Sequence, residues 1–169
     1  MYAKPLSQKQ KFNLMWNFLR PNGEAIRTLG VEKSGYDNYL SAIKSHLLTH
    51  AFDKSRHTFN YAKAVVSLGT LAQPQGATAL CHANGLSIIW SDNGTEAAAN
   101  PRDLLTLVIF SPLFGYTFFS IGEAYRGSGF TQITFTGIEG IGPCHAYMAF
   151  LSEDGKQVST SVYLGPFEF

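Results

Sequence analysis

The sequence carries little charge of either sign and little cysteine. Charged residues make up 15% of the 169 residues, and the formal net charge at pH 7 is +1. Such a balance provides neither a basic surface for nucleic acid nor an acidic surface for cations. The two cysteines, Cys81 and Cys144, are too few for a disulfide framework. We therefore predict no nucleic-acid partner, and whether the two cysteines pair stays open.

A membrane-spanning helix is not expected either. One uncharged apolar run, LLTLVIFSPLFGYTFFSIG at residues 104–122, has the length to cross a bilayer. Ser111-Pro112 and Gly115 interrupt its centre, and basic anchors do not flank it on both sides. Two strands joined by a turn explain the run better. Residues 1–11 contain three lysines but no apolar stretch, so we expect no signal peptide.

The chain is rich in hydrophobic residues, which make up 45% of it, and this composition indicates a folded globular protein. Its first third has a helical pattern. Ser7 and Gln10 have the spacing of a capping box at a helix start, and Pro21 with Gly23 ends the run. The apolar positions between them are Phe12, Leu14, Met15, Trp16, Phe18 and Leu19. They lie nearly all round the helix, which predicts burial on two faces or docking on a partner.

A second helix is predicted from Ser34 to His50, and alternating patterns follow it. The predicted strands are Ala62–Ser67, Thr78–Ala83, Leu86–Ser91, Leu104–Phe110, Gly115–Ile121, Phe130–Phe135, His145–Leu151 and Gln157–Leu164. Short strands at this spacing favour an antiparallel sandwich or barrel. We predict a mainly β fold, with a helical region at residues 1–57 and an immunoglobulin-like or fibronectin-like β-sandwich at residues 58–169.

Individual residues support a sandwich. Trp90 lies early in the strand region, like the core tryptophan of such folds, and Tyr147 is placed like their corner tyrosine, with a hydroxyl that bonds nearby backbone. Asp154-Gly155 is a turn signal between the last two strands. In the last strand, Val158, Thr160, Val162 and Leu164 alternate with Ser159, Ser161 and Tyr163. This alternation predicts that one face of the strand is buried and the other is a wet, solvent-exposed face.

Three segments carry a resemblance to a known family: YAKAVVSLGTL from Tyr61, LSIIWSDNGTEAAANPRDLLTLVIFSP from Leu86, and AYMAFLSEDGKQVSTSVYLG from Ala146. With the upstream SQKQKFNLMWNFLRP, they resemble uncharacterised proteins of Bacteroidota classed as a domain of unknown function. The resemblance implies a fold with a C-terminal sandwich and a bacterial or phage setting, and almost no activity. The chain departs from that pattern by lacking a Gly-rich N-terminal segment and by having SPLFGYTFF where the family has a polar turn.

Candidate chemical groups are sparse. His46 and His50 lie four apart on the second helix, ahead of Asp53 and His57, so they could share a metal ion, but a frayed helix end explains them better. The dipeptides Cys81-His82 and Cys144-His145 offer one ligand each to a given sheet face. No nucleophile elbow or phosphate loop is present in a suitable context. We predict no enzyme activity, no cofactor and no metal.

An aromatic cluster remains. Its members are Leu113, Phe114, Tyr116, Phe118 and Phe119. They straddle a predicted turn, where not all side chains can face a core, so they form either an exposed interaction patch or a site covered by the helical region. Together with Phe12, Trp16 and Leu19 of the first helix, they are our interface candidates.

We therefore predict a structural protein that acts through protein contacts or self-association, as a virion component of a phage infecting Bacteroidota. The alternative is a cell-surface or extracellular module that recognises carbohydrate or protein. The sequence identifies neither the partner nor the compartment.

Overall fold

Three α-helices and nine β-strands make up the regular structure of residues 5–30, 35–53, 57–136 and 142–169, the part of the chain that the computed structural model describes. The helices are α1 (Gln8–Leu19), α2 (Gly23–Leu29) and α3 (Tyr36–His50). The strands are β1 (Phe52–Asp53), β2 (Thr58–Phe59), β3 (Gln75–His82), β4 (Gly85–Ser91), β5 (Leu104–Ser111), β6 (Tyr116–Tyr125), β7 (Phe130–Thr134), β8 (Pro143–Leu151) and β9 (Val162–Glu168). The prediction of a mainly β chain with helices at its N-terminus is confirmed.

The helical region begins as its sequence predicts. The backbone N–H of Gln10 donates to Ser7 Oγ at 3.2 Å, and Gln10 Oε1 accepts from the Ser7 N–H at 2.9 Å. This capping box starts α1. Pro21 follows α1, but the chain then forms a further helix, α2, which the sequence did not predict. The Asn22 side chain supports the junction by donating to the Phe18 carbonyl at 2.8 Å.

All strand pairing is antiparallel, and the two larger sheets have the orders β3-β4-β7 and β6-β5-β8-β9. One core lies between these sheets and includes Leu86, Trp90, Leu107 and Phe150. A second core lies between the four-stranded sheet and the helices. The two central strands, β5 and β8, are therefore buried on both faces, which explains why the LLTLVIF segment shows no alternation.

Six of the eight predicted strands agree with the structure to within a few residues. The first, Ala62–Ser67, is wrong. A 3-10 turn spans Tyr61–Lys63, and an irregular buried segment follows it. The backbone of this segment is satisfied by distant side chains instead of a strand ladder, because Val66 N–H donates to Ser161 Oγ at 2.9 Å. Burial of Ala64, Val65 and Val66 produced the apolar pattern without a strand.

The last predicted strand, Gln157–Leu164, is displaced. Its first residues form only isolated bridges, and β9 begins at Val162. The predicted wet face is also wrong, because Ser159 and Ser161 are 0% and 6% exposed. Ser159 Oγ accepts from the Phe150 N–H at 2.9 Å. Serines can alternate with apolar residues inside a core when their hydroxyls find such partners.

Of the residues predicted to define the fold, Trp90 and Tyr147 are buried in the two cores. Trp90 is 6% exposed, and its Nε1 donates to the Arg126 carbonyl at 2.6 Å. Tyr147 is fully buried and donates to the Tyr61 carbonyl at 2.9 Å, which is backbone far upstream and not the nearby backbone that was predicted. Asp154-Gly155 forms the expected turn, with Gly155 at a φ of +70°.

Both cysteines are free. Cys81 on β3 and Cys144 on β8 contact the core between the two sheets from opposite sides. Burial raises the pKa of each thiol. The two cysteines do not pair in this structure.

Candidate interaction surface

The connection between β5 and β6 projects from the molecule. Ser111 pairs with Tyr116, so the loop comprises only residues 112–115. Gly115 closes it with a φ of +60°, a backbone conformation that glycine adopts without strain. Leu113 and Phe114 are 68% and 61% exposed, and Tyr116 is 48% exposed. We call residues 112–116 the hairpin tip. The helical region does not cover these side chains.

Two of the five aromatic-cluster candidates belong to the interior instead. Phe118 packs edge-on against Phe135, with ring centroids 4.8 Å apart, on the side of the core between the sheets. Phe119 is half-buried on the other face of β6, against the helical core. Adjacent strand residues point to opposite faces, which divides this pair between the two cores.

The interface candidates on α1 are likewise divided between the interior and the surface. Leu19 is 2% exposed and contributes to the chain's own core. Phe12 is 47% exposed and lies edge-on to Trp16, with ring centroids 6.1 Å apart. Trp16 is half-buried, and the Lys44 ammonium lies 4.8 Å from the centre of its ring. The side of α1 that carries Phe12 and Trp16 therefore offers apolar surface to a partner.

The hairpin tip lies beside the C-terminal end of α1. A cavity of about 320 Å³ separates them and is lined by Asn17, Arg20, Pro21, Pro112 and Gly115. A neighbouring cavity shares Asn17 and Arg20 and extends to Trp16. Below the tip, the Thr117 hydroxyl donates to Asn22 Oδ1 at 3.0 Å and fixes the hairpin to the helical layer. Tip and α1 thus form one continuous surface, with Arg20 at its centre.

The metal candidates do not form a site. His46 and His50 lie side by side, with ring centroids 4.6 Å apart. Partial burial and repulsion from His50 lower the pKa of His46. No group of three or more histidine, cysteine, aspartate or glutamate side chains suited to a metal ion occurs among the described residues.

The sequence did not indicate a polar pocket that β8, β9 and the segment after β2 form together. His145 stacks on Tyr61 with ring centroids 4.0 Å apart, and its Nδ1 shares a hydrogen bond of 2.8 Å with the Tyr163 hydroxyl. Asn60 and Phe59 also line the cavity, whose volume is about 250 Å³. These residues are far apart in the sequence, so only strand pairing brings them together. In the sequence, the Cys144-His145 dipeptide was the one local feature that drew attention to a residue of this pocket.

The His145 imidazole should make the stability of the fold depend on pH. Burial lowers its pKa from 6.5 to about 4. Between these two values the unfolded chain binds a proton that the folded chain excludes, so stability falls as the pH falls from 6.5 towards 4. Allowing for the partial exposure of the imidazole, we expect this effect to lower the free energy of unfolding by about 2 kcal/mol.

Urea unfolding between pH 4 and 7 tests this expectation. In His145→Phe the free energy of unfolding should depend less on pH in that range, because phenylalanine does not titrate. His46→Asn is the comparison variant: the pKa of His46 is lowered as well, so this change should also reduce the pH dependence of stability, but by less than His145→Phe does. If the pH dependence of the free energy of unfolding is unchanged in His145→Phe, then His145 is not its cause.

The structure and the comparisons with known proteins add three findings. No helix of the described ranges is long and apolar enough to cross a membrane. A family model described as a family of unknown function (DUF6266) matches residues 4–165. No curated protein and no solved structure matches the chain significantly.

Proposed function

Since this chain belongs to the DUF6266 family of unknown function, we propose from its surfaces that it is a non-enzymatic structural protein that assembles through its hairpin tip. The observation that carries the proposal is the exposure of Leu113 and Phe114, at 68% and 61%. Large apolar side chains held together at a projecting site are typical of protein interfaces.

The rigidity of the tip supports this proposal. Strand β5 is buried on both faces, and Thr117 bonds to Asn22 of the helical layer. A short loop on such a base holds its side chains in place before a partner binds. Because little conformational entropy is then lost on association, each buried ring contributes more to affinity.

The partner that we propose is a second copy of the chain. Trp16 lines a cavity that reaches Arg20, and Phe12 lies edge-on to Trp16 on the same helix, so α1 supplies apolar surface that continues towards the tip. The cavity between Arg20 and the tip could receive a side chain from a neighbour. The setting that we propose is the virion of a phage infecting Bacteroidota, on the resemblance described above. We also propose that β3–β9 form an immunoglobulin-like sandwich, which the shared core around Trp90 supports.

Replacing Phe114 and Tyr116 by serine should weaken self-association roughly tenfold or more, because both exposed rings would be lost from the contact. Sedimentation velocity over a range of concentrations measures this. The matched control is Phe130→Ser on β7, since Phe130 is 52% exposed but lies away from the tip. A wild-type chain that stays monomeric at high concentration would sink the proposal.

A cell-surface or extracellular module that binds carbohydrate or protein is the second candidate. The same exposed rings of Phe114 and Tyr116 favour it, because sugar faces stack on aromatic side chains. Binding on a glycan array that the Phe114→Ser and Tyr116→Ser changes abolish would support this candidate. Self-association lost on the same changes, without glycan binding, would support the structural protein.

A further inference from the structure

We propose that the pocket around His145 binds a neutral hydroxylated ring, of the size of one monosaccharide unit. Its lining residues are Asp53, Thr58, Phe59, Asn60, Tyr61, Ala62, His145 and Tyr163. None of them belongs to the hairpin tip or to α1. The site is therefore independent of the proposed assembly surface.

One ring nitrogen of His145 is available to a ligand in the pocket. His145 Nδ1 is occupied by Tyr163, but Nε2 has no partner among the described residues. Within those residues, Ser120 Oγ is the one buried side-chain nitrogen or oxygen without a hydrogen bond. The Nε2 atom must therefore reach accessible space, and the pocket is the cavity that His145 lines.

The chemistry of these groups selects a hydroxyl. If the Tyr163 hydroxyl donates to Nδ1, then Nε2 carries the proton and donates; if it accepts, Nε2 accepts. A neutral imidazole can therefore meet a hydroxyl in either role. The Asn60 amide nitrogen and the Thr58 hydroxyl add donors and an acceptor at the same cavity, while Asn60 Oδ1 accepts from the Ala62 N–H at 3.0 Å.

The charge of the described lining favours an uncharged ligand. Among the described residues, no lysine or arginine lines the pocket, so this part of the lining offers no positive charge to an anion. A metal ion needs more ligands than this one carboxylate and one imidazole provide. The remaining class is an uncharged molecule that combines hydroxyl groups with an apolar face for Phe59 and Tyr61.

The volume sets the size of the ligand. At roughly 30 Å³ for each water molecule, 250 Å³ corresponds to about eight waters. That space suits a single ring. Further sugar units would extend into solvent.

Titration of the full chain with glucose, galactose, mannose and N-acetylglucosamine tests the proposal, with the His145 ring resonances followed by NMR. At least one of these sugars should shift them with a Kd in the millimolar range. His145→Phe keeps the ring stacked on Tyr61 but removes both nitrogens, so it should abolish the shifts of the neighbouring Tyr61 and Phe59 resonances. Tyr163→Phe should weaken binding several-fold.

The matched control is Tyr125→Phe, since Tyr125 is 48% exposed and lies at the end of β6, outside this pocket. It should leave binding unchanged. Absence of shifts with all four sugars would overturn the proposal. So would shifts that survive in a folded His145→Phe chain, or stronger shifts with phosphate or acetate. Serine at positions 114 and 116 should leave sugar binding here intact, which separates this site from the assembly surface.

Discussion

Replacing Asp103 by alanine is expected to destabilise the folded chain by about 3–5 kcal/mol, one of the two largest effects that we predict for a single substitution in this protein. Asp103 Oδ2 accepts from Arg126 Nε at 2.9 Å, and the two side chains are 3% and 0% exposed. Without the carboxylate, a guanidinium remains buried with no opposite charge. The Arg126 side chain is inaccessible to solvent in the native fold, so bulk water does not hydrate its charge there.

The surroundings of Arg126 make this charge hard to accommodate otherwise. Its Nη1 donates to Asn93 Oδ1 at 2.7 Å, and its Nη2 donates to the Ala72 carbonyl at 2.9 Å. The guanidinium carbon lies 4.0 Å from the centre of the Phe150 ring. Neutral groups thus accept one hydrogen bond from each Nη atom, while Asp103 supplies the negative charge.

Equilibrium urea unfolding measures the effect, and a double-mutant cycle assigns its cause. Asp103→Leu combined with Arg126→Met should cost less than either single change, since it leaves no unpaired charge. Glu153→Ala is the matched control, because its ion pair with Arg102 is exposed and should contribute less than about 1 kcal/mol. Additive losses in the cycle would contradict the charge-pair explanation.

Phe18→Ala is expected to cost about 3–5 kcal/mol, the second large effect. Phe18 is 1% exposed at the contact between α1 and the four-stranded sheet. Its ring lies 5.5 Å from that of Phe110 and 5.9 Å from that of Tyr147, centre to centre, and both contacts are edge-on. Truncation would leave a cavity between two layers that cannot close without moving a helix.

The same substitution tests the predicted boundary at residue 57. If the helices and the sheets unfold together, Phe18→Ala should lower the urea midpoint of a single transition followed by both circular dichroism and tryptophan fluorescence. Phe12→Ala on the same helix is the control, and its 47% exposure predicts a change within about 0.5 kcal/mol. Two separate transitions would instead indicate an independent helical region.

The elements that sequence reasoning placed correctly share one property: short-range patterns encode them. The capping box at Ser7 and Gln10 depends on residues three apart. The β5–β6 hairpin depends on Pro112 and Gly115 between apolar runs. The turn at Asp154-Gly155 depends on local backbone preferences.

The errors arose where burial comes from a distant layer. Ala62–Ser67 has the apolar pattern of a strand, but its backbone bonds to the side chain of Ser161 and to other groups nearly a hundred positions away. Ser159 and Ser161 look like a wet face, yet the chain folds over them. Polarity predicts exposure only when no hydrogen-bond partner is available in the core.

The sequence by itself therefore determined the helical start, the mainly β character, six strands and the presence of an aromatic hairpin tip. Only the tertiary structure decided which residues of the aromatic cluster stay exposed, that Arg126 pairs with Asp103, and that His145 contacts Tyr61 and Tyr163. The physical reason is the distance along the sequence over which each kind of interaction acts. Helix caps, alternation and turns act over a few residues, whereas burial on both sheet faces and the pairing of charges depend on which layers come together.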